Sequence, residues 1–264
     1  MSDFDHIAAQ MPDPFRLLWR EKVSSTNDEL RELAEKGMGE GLVLVAEEQV
    51  AGRGRRGAEW FSPKGESLAF SVLLRPTEAK GFWHQLALVA GLAVAEAIEK
   101  FVPLAEIKWP NDVLIGGKKV AGILVEAGSD FVIVGIGINV NTERFPEGLA
   151  ATSLRNERGC HVAREEVLLA VIKHLKHHSS RLGSGFEGLL PGIRERCHLT
   201  GQRVTLICAD RSREGIVKGI GSGGELLLES EGQIEMIVQA DEVRVAGNLA
   251  PSIGELTVEK PPKS

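Results

Sequence analysis

The apolar and polar positions divide the chain into two regions of different rhythm. Residues 24–36 (SSTNDELRELAEK) open with capping residues and continue with helix formers, with Leu30 and Leu33 three apart beside Ala34, the spacing of one helix face. Ser25, Thr26 and Asn27 stand at the start of that helix, and Gly37 and Gly39 end it. The apolar runs 42–47 (LVLVAE), 67–74 (SLAFSVLL) and 130–140 (DFVIVGIGINV) predict buried strands, and residues 81–100 and 164–181 predict helices. Residues 106–109 lead into a strand–turn–strand unit, 113–115 and 118–126, joined by Gly116-Gly117, a pair that favours a tight hairpin. Near residues 191–200 the rhythm changes. Five short strands follow at 203–209, 214–220, 225–229, 234–238 and 243–246, punctuated by glycines, as in a small β-barrel. The pattern predicts an α+β fold: a mixed β-sheet with flanking helices over residues 1–197, a barrel over 198–249 and a disordered tail over 250–264.

Composition narrows the classes. The chain has 264 residues, 43% hydrophobic and 26% charged, with a net charge of −6. This is ordinary globular composition, without the broad basic surface a nucleic-acid backbone requires. The first twenty residues lack a secretory signal, and the longest apolar run, near Leu86 to Ala95, is too short to span a bilayer. Cys160, Cys197 and Cys208 are widely spaced and form neither a CxxC pair nor a disulfide framework. The expected setting is a reducing cytoplasm, with no membrane association.

Gly52 to Gly57 reads GRGRRG and fits G-x-G-x-x-G. A dinucleotide fold would continue into a helix, yet AEWFSPKG follows, with Pro63 and Gly65 in the way. Neither the HRD and DFG triplets of a kinase nor the GK[ST] of a P-loop follows. A solvated turn and an anion-gripping loop remain. Arg53, Arg55 and Arg56 repel one another, and the three glycines make ordering costly. A flexible, strongly positive loop of this kind suits closure over an anion, where charge-assisted hydrogen bonds of about 1.5–3 kcal/mol each offset the ordering entropy.

Four motifs occur in order: Ser25-Thr26-Asn27, QVAGRGRRGAEWFSP from Gln49, KWPNDVLIGGKKVAGILVE from Lys108, and GIGIN from Gly135. Together they resemble the biotin protein ligase family over roughly residues 15–247. The resemblance implies a class II synthetase-like catalytic domain with an SH3-like barrel. It also implies a two-step reaction, in which biotin and MgATP give biotinyl-5′-AMP and a lysine of a biotin carboxyl carrier domain is then acylated. ATP and Mg²⁺ are the implied cofactors, and a homodimer through a sheet edge the implied assembly.

Both reactants of the first step are anionic, so cations must offset their repulsion. The resemblance places Ser25, Thr26, Asn27, Gln49, Gly52, Arg53, Arg55, Lys119 and Gly122 around biotin. Its ureido ring needs matched polar groups, each unmatched one costing about 1–3 kcal/mol. The first two serine and threonine positions also suit a helix N-cap, and Gly122 a strand bulge. Arg53, Arg55, Arg56, Trp60, Asn111, Lys119 and Asn139 are placed around the nucleotide, with Asn139 reading the adenine edge and Trp60 excluding water. Lys119 is the strand-borne cation, its neighbour Lys118 facing solvent. Asp112 is the group nearest the acceptor lysine, to orient it or take its proton, and residues 141–150 are a second lid. Lys119, Arg55 and Asp112 form the expected catalytic set.

No metal ligand is expected. His174 and His178 share a helix face, but the sequence offers no third convergent group, so a solvated or partly buried face is favoured. The catalytic motifs begin too early to leave room for a winged helix-turn-helix, so no operator binding is expected. The alternatives are a lipoate–protein ligase, which would lack KWPND, and a non-catalytic biotin-binding regulator, which would have no need of Lys119 and the arginine loop.

Overall fold

The computed structural model describes residues 4–208 and 211–246. The main sheet has seven strands: β1 (Arg16–Val23), β2 (Leu42–Gln49), β3 (Ser67–Leu74), β4 (Glu106–Lys108), β5 (Asp112–Ile115), β6 (Lys118–Ala127) and β7 (Val132–Asn139). Their spatial order is β1-β2-β3-β7-β6-β5-β4. Only β1 and β2 pair in parallel. Helix α1 (Thr26–Glu35) covers one face, while α2 (Leu86–Ile98), the short α3 (Leu154–Arg158) and α4 (Arg164–Ser179) follow in sequence, α2 and α4 packing together.

Side-chain alternation explains the layers. On β2, Leu42 and Leu44 join Leu30 and Ala34 of α1 in one apolar cluster, whereas Val43 and Val45 enter the larger core with α2 and α4. On β7, Val134, Ile136 and Ile138 likewise enter the large core, while Ile133 packs under α1. The remaining odd positions of β7 are Gly135, Gly137 and Asn139. The strand is thus filled on one face and hollow on the other.

Helix α5 (Leu190–Glu195) leads to β8 (Arg203–Cys208), β9 (Arg211–Ile220), β10 (Leu226–Ser230), β11 (Gln233–Ile237) and β12 (Glu242–Val245). These form an antiparallel sheet in the order β11-β10-β9-β8-β12, in keeping with an SH3-like barrel. The joining segment runs beside β4: Ile107 N donates to Arg196 O at 2.7 Å and His198 N to Ile107 O at 2.9 Å. Trp109 of KWPND donates its indole N–H to Gly224 O at 3.0 Å, which pins the small sheet to the large one.

The predicted strands and helices are present with shifted ends. Residues 81–100 do not form one α-helix, because Lys80–Gln85 is a 3-10 turn and α2 begins at Leu86. Counted together, Lys80–Ile98 is long and apolar enough to cross a membrane, unlike the shorter run expected, yet 72% of its apolar window is buried inside the protein. It is the core helix. Strand β1 was not anticipated, since its burial is mostly partial and shows no clean alternation. Ala209 and the expected tail, 250–264, lie outside the described residues.

Candidate active site

A cleft of about 710 Å³ opens on the α1 side of the main sheet, with Gly122, Gly135 and Gly137 in its lining. The glycines are required by close approach. A Cβ on Gly135 would lie 2.9 Å from Asn27 Cγ, and one on Gly137 2.6 Å from Trp60 Cζ2 and Nε1. A Cβ on Gly122, paired with Gly137 across the strands, would lie 3.0 Å from the same indole. Trp60 therefore lies across the glycine floor, its buried Nε1 without a hydrogen-bond partner among the described residues.

One end of the cleft is polar because α1 starts there. Ser25 takes the N-cap position but makes no capping bond. Gln49, at the end of β2, supplies the cap instead: its Oε1 accepts from Thr26 N at 2.8 Å and from Thr26 Oγ1 at 3.0 Å. Its amide nitrogen packs against Gly52, where a Cβ would lie 3.0 Å away. Asn27 Nδ2 donates to Glu126 Oε2 at 2.7 Å. Ser71 Oγ has one proton to share between Thr26 Oγ1 at 2.7 Å and Asn27 Oδ1 at 2.6 Å.

The arginine loop is a hydrogen-bonded turn. It closes on itself through Gly54 N to Ala58 O at 2.6 Å and Trp60 N to Gly52 O at 3.0 Å. Arg56 is left-handed at φ 57°. Carboxylates make this possible by matching the guanidiniums. Arg53 binds both oxygens of Asp28, Nη1 at 2.5 Å from Oδ2, and reaches Glu126 at 3.4 Å. The hydrogen bond from Arg53 holds the Asp28 carboxyl below its ordinary range, and the same pairing raises the arginine. Arg56 Nε lies 3.7 Å from Asp241 Oδ1. Arg55 turns inward to neutral partners, donating to Ala240 O at 2.6 Å and Asn111 Oδ1 at 3.3 Å. Burial pulls its affinity for a proton down, with the charges of Asp112 and Asp241 opposing that effect.

Lys119 reaches the same space through an irregularity. The β5–β6 register shifts between Val113 and Leu114, breaking strict alternation. Its ammonium comes within 3.1 Å of where a Gly122 Cβ would be, 5.4 Å from the Trp60 ring and 2.7 Å from Asp112 Oδ1. Lys118 is exposed. Asn111 braces the turn by donating to Ile123 O at 2.8 Å.

Asn139 lines the cleft, but its Nδ2 is spent on Thr152 O at 3.1 Å and Lys119 O at 3.4 Å. Pairing with adenine through both amide groups would require breaking those bonds. Residues 141–150 carry no helix or strand and end beside Lys119, whose N donates to Ala150 O at 2.9 Å. Phe145 meets Phe61 edge-on, ring centres 6.3 Å apart, so this segment touches the stretch that follows the arginine loop. Of the expected residues, all but Gly52 and Arg56 line this one cleft; Gly52 packs behind Gln49, and Arg56 is 59% exposed beside Asp241. The structure adds Ser71, Asp28, Glu126, Ala240 and Asp241. A serine inside an otherwise apolar strand was a usable signal for the first; the others depend on register and docking.

Residues 19–142 match the profile of the Biotin/lipoate A/B protein ligase family. The biotin–[acetyl-CoA-carboxylase] ligase of Mycobacterium tuberculosis is 33% identical over 242 residues, covering 86% of this chain and 90% of its own. That of Paracoccus denitrificans is 35% identical over 234 residues, with 83% and 97% covered. The biotin protein ligase of Aquifex aeolicus, solved in complex with biotin and ATP, superposes with a TM-score of 0.79 at 36% identity over 87% of this chain and 99% of that one. Such identity along nearly the full length of characterised ligases, on the same fold, means that this chain belongs to the biotin protein ligase family.

Proposed function

We propose that this chain is an ATP-dependent biotin ligase that forms biotinyl-5′-AMP and acylates a lysine of a biotin carboxyl carrier domain. The observation that carries this reading is the convergence of Arg53, Arg55 and Lys119 on a glycine-floored cleft with a polar end. Ser25 and the Thr26–Gln49 pair offer hydroxyl and amide groups to a ureido ring, which must be matched when buried.

In the first step an oxygen of the biotin carboxylate attacks the α-phosphorus of ATP and pyrophosphate leaves. Lys119 and Arg55 offset the charge that grows there. Asp112 and Asp241 are already ion-paired, so Mg²⁺ would enter on the phosphates, neutralising them with few protein ligands. The loop and the facing segment 141–150 keep water from the anhydride. In the second step the acceptor amine attacks the acyl carbon and AMP departs. Asp112, ion-paired with Lys119 at 2.7 Å, orients that amine or takes its proton.

Biotin-dependent pyrophosphate–ATP exchange, repeated with lipoate and followed by transfer to a carrier domain, tests the reading. Exchange with lipoate but not biotin would reject it.

A further inference from the structure

The histidine face of α4 is not merely solvated. Glu96, near the end of α2, places Oε2 2.9 Å from His174 Nδ1 and 2.6 Å from His178 Nε2. This is the third convergent group that sequence spacing did not reveal, since 78 residues separate Glu96 from His174. The three donor atoms lie within 4.8 Å of one another, and no other such trio of His, Cys, Asp or Glu forms among the described residues. None of the three lines the cleft.

We propose that Glu96, His174 and His178 form a site for a divalent transition-metal ion of the zinc class, clamping α2 to α4. Two imidazoles and a carboxylate are a donor set zinc takes, and a helical spacing of four brings the imidazoles to one face. Zinc–ligand bonds of about 2.0–2.2 Å separate tetrahedral donors by about 3.3 Å. The two Glu96 contacts, at 2.9 and 2.6 Å, lengthen by less than about 1 Å to reach that geometry, while the two imidazole nitrogens, within 4.8 Å of each other, close toward it. His174 and Glu96 are 31% and 26% exposed, leaving an entry path and a fourth position for water. The nearby cations do not fill the space: Arg196 is held by Glu99 at 3.1 and 2.9 Å, and Arg181 by His177 at 2.9 Å. His178 is 7% exposed, so the site is anchored in the core on one side.

The competing description is a hydrogen-bonded bridge in which one carboxylate oxygen receives both imidazole protons. Titration of the full chain, stripped with chelator, with Zn²⁺ and with Co²⁺ in the absence of ATP distinguishes them. The expected result is one ion per chain, a raised thermal midpoint, and Co²⁺ absorption bands of a nitrogen–oxygen site without a sulfur charge-transfer band. His174→Ala and Glu96→Gln should each weaken the ion by at least about tenfold. The second variant preserves side-chain volume and serves if the first fails to fold. Absence of saturable binding overturns the proposal. So does binding that both variants leave unchanged, which would place the ion on other residues.

Discussion

Replacing Gly137 by alanine tests the glycine floor directly. The new methyl would lie 2.6 Å from two atoms of the Trp60 indole, whereas ordinary contact begins at 3.4 Å. The ring must retreat by roughly 1 Å, an overpacking that costs about 1–3 kcal/mol. The backbone itself is not the obstacle, because Gly137 is not among the positive-φ glycines. Without the collision, alanine there should stabilise by about 0.4–1 kcal/mol through the unfolded chain. In a Trp60→Ala background the collision is gone, so Gly137→Ala should change from destabilising to neutral or stabilising. The cycle should yield a coupling of about 1–3 kcal/mol by urea unfolding. Biotin affinity should behave differently. With Trp60 present the methyl pushes the indole into the cleft, and without it the methyl stands bare on the floor, so calorimetry should give a dissociation constant raised about tenfold or more in each background, the equivalent of 1.4 kcal/mol. Equal stability costs in the two backgrounds would remove Trp60 as the limiting contact. An unchanged biotin constant would mean that the ligand does not lie on these strands.

Lys119→Ala should lower pyrophosphate–ATP exchange by about a hundredfold or more while leaving circular dichroism and the cooperative melt intact; normal exchange would strip Lys119 of its role. Arg55→Met should raise the dissociation constant for ATP, measured by calorimetry, more than Arg53→Met does; the reverse order would contradict the charge balance set out below. Asp28 has a carboxyl held below its ordinary value by Arg53, so its stabilising contribution is fully present above the unfolded value of about 3.9. It is lost as pH falls through the lower folded value. Acid unfolding of Asp28→Asn should therefore show a shallower decline below about pH 4, and a wild-type slope there would refute the pairing.

The sequence made the local parts of this molecule legible and left the distant pairings dark. The Gly116-Gly117 hairpin could be read because its turn needs two positive φ angles, and both glycines have them. The start of α1 could be read from SSTN, but not its actual cap, because Gln49 comes from the end of another strand. Helix α2 is buried on nearly every side, so no amphipathic stripe marked where the 3-10 turn gives way. Strand β1 hid for the opposite reason: it is a half-exposed sheet edge with weak patterning. The cations of the site were visible as GRGRRG and GKK, whereas their counter-charges were not. Glu126 is 73 positions from Arg53, and the neutral partner of Arg55, Ala240 O, is 185 positions from it.

Those counter-charges determine how the site can bind an anion. Two like charges about 4 Å apart repel by about 4 kcal/mol at a protein-surface dielectric, so three arginines in four positions would splay the loop if left alone. Asp28, Glu126 and Asp241 offset that repulsion and let a chain of net charge −6 keep a compact cationic hairpin. The same pairs weaken the pull of their arginines on phosphate. A phosphate approaching Arg53 must displace a bidentate carboxylate, gaining only the difference between two charge-assisted contacts of similar strength. Arg55 has no bidentate carboxylate to displace: its hydrogen-bond partners are a backbone carbonyl and an amide oxygen, with the charges of Asp112 and Asp241 acting on it from further away. The bond to Ala240 O already has an ionised donor, so exchanging it for a phosphate oxygen adds the Coulomb attraction of the anion to a charge-assisted hydrogen bond. Burial strengthens the preference, because a partly desolvated guanidinium gains more from an anion than a solvated one. The strongest phosphate grip in the cleft is therefore expected from the arginine that is tied to the C-terminal sheet, and nucleotide binding should be felt at Ala240 before it is felt at Asp28.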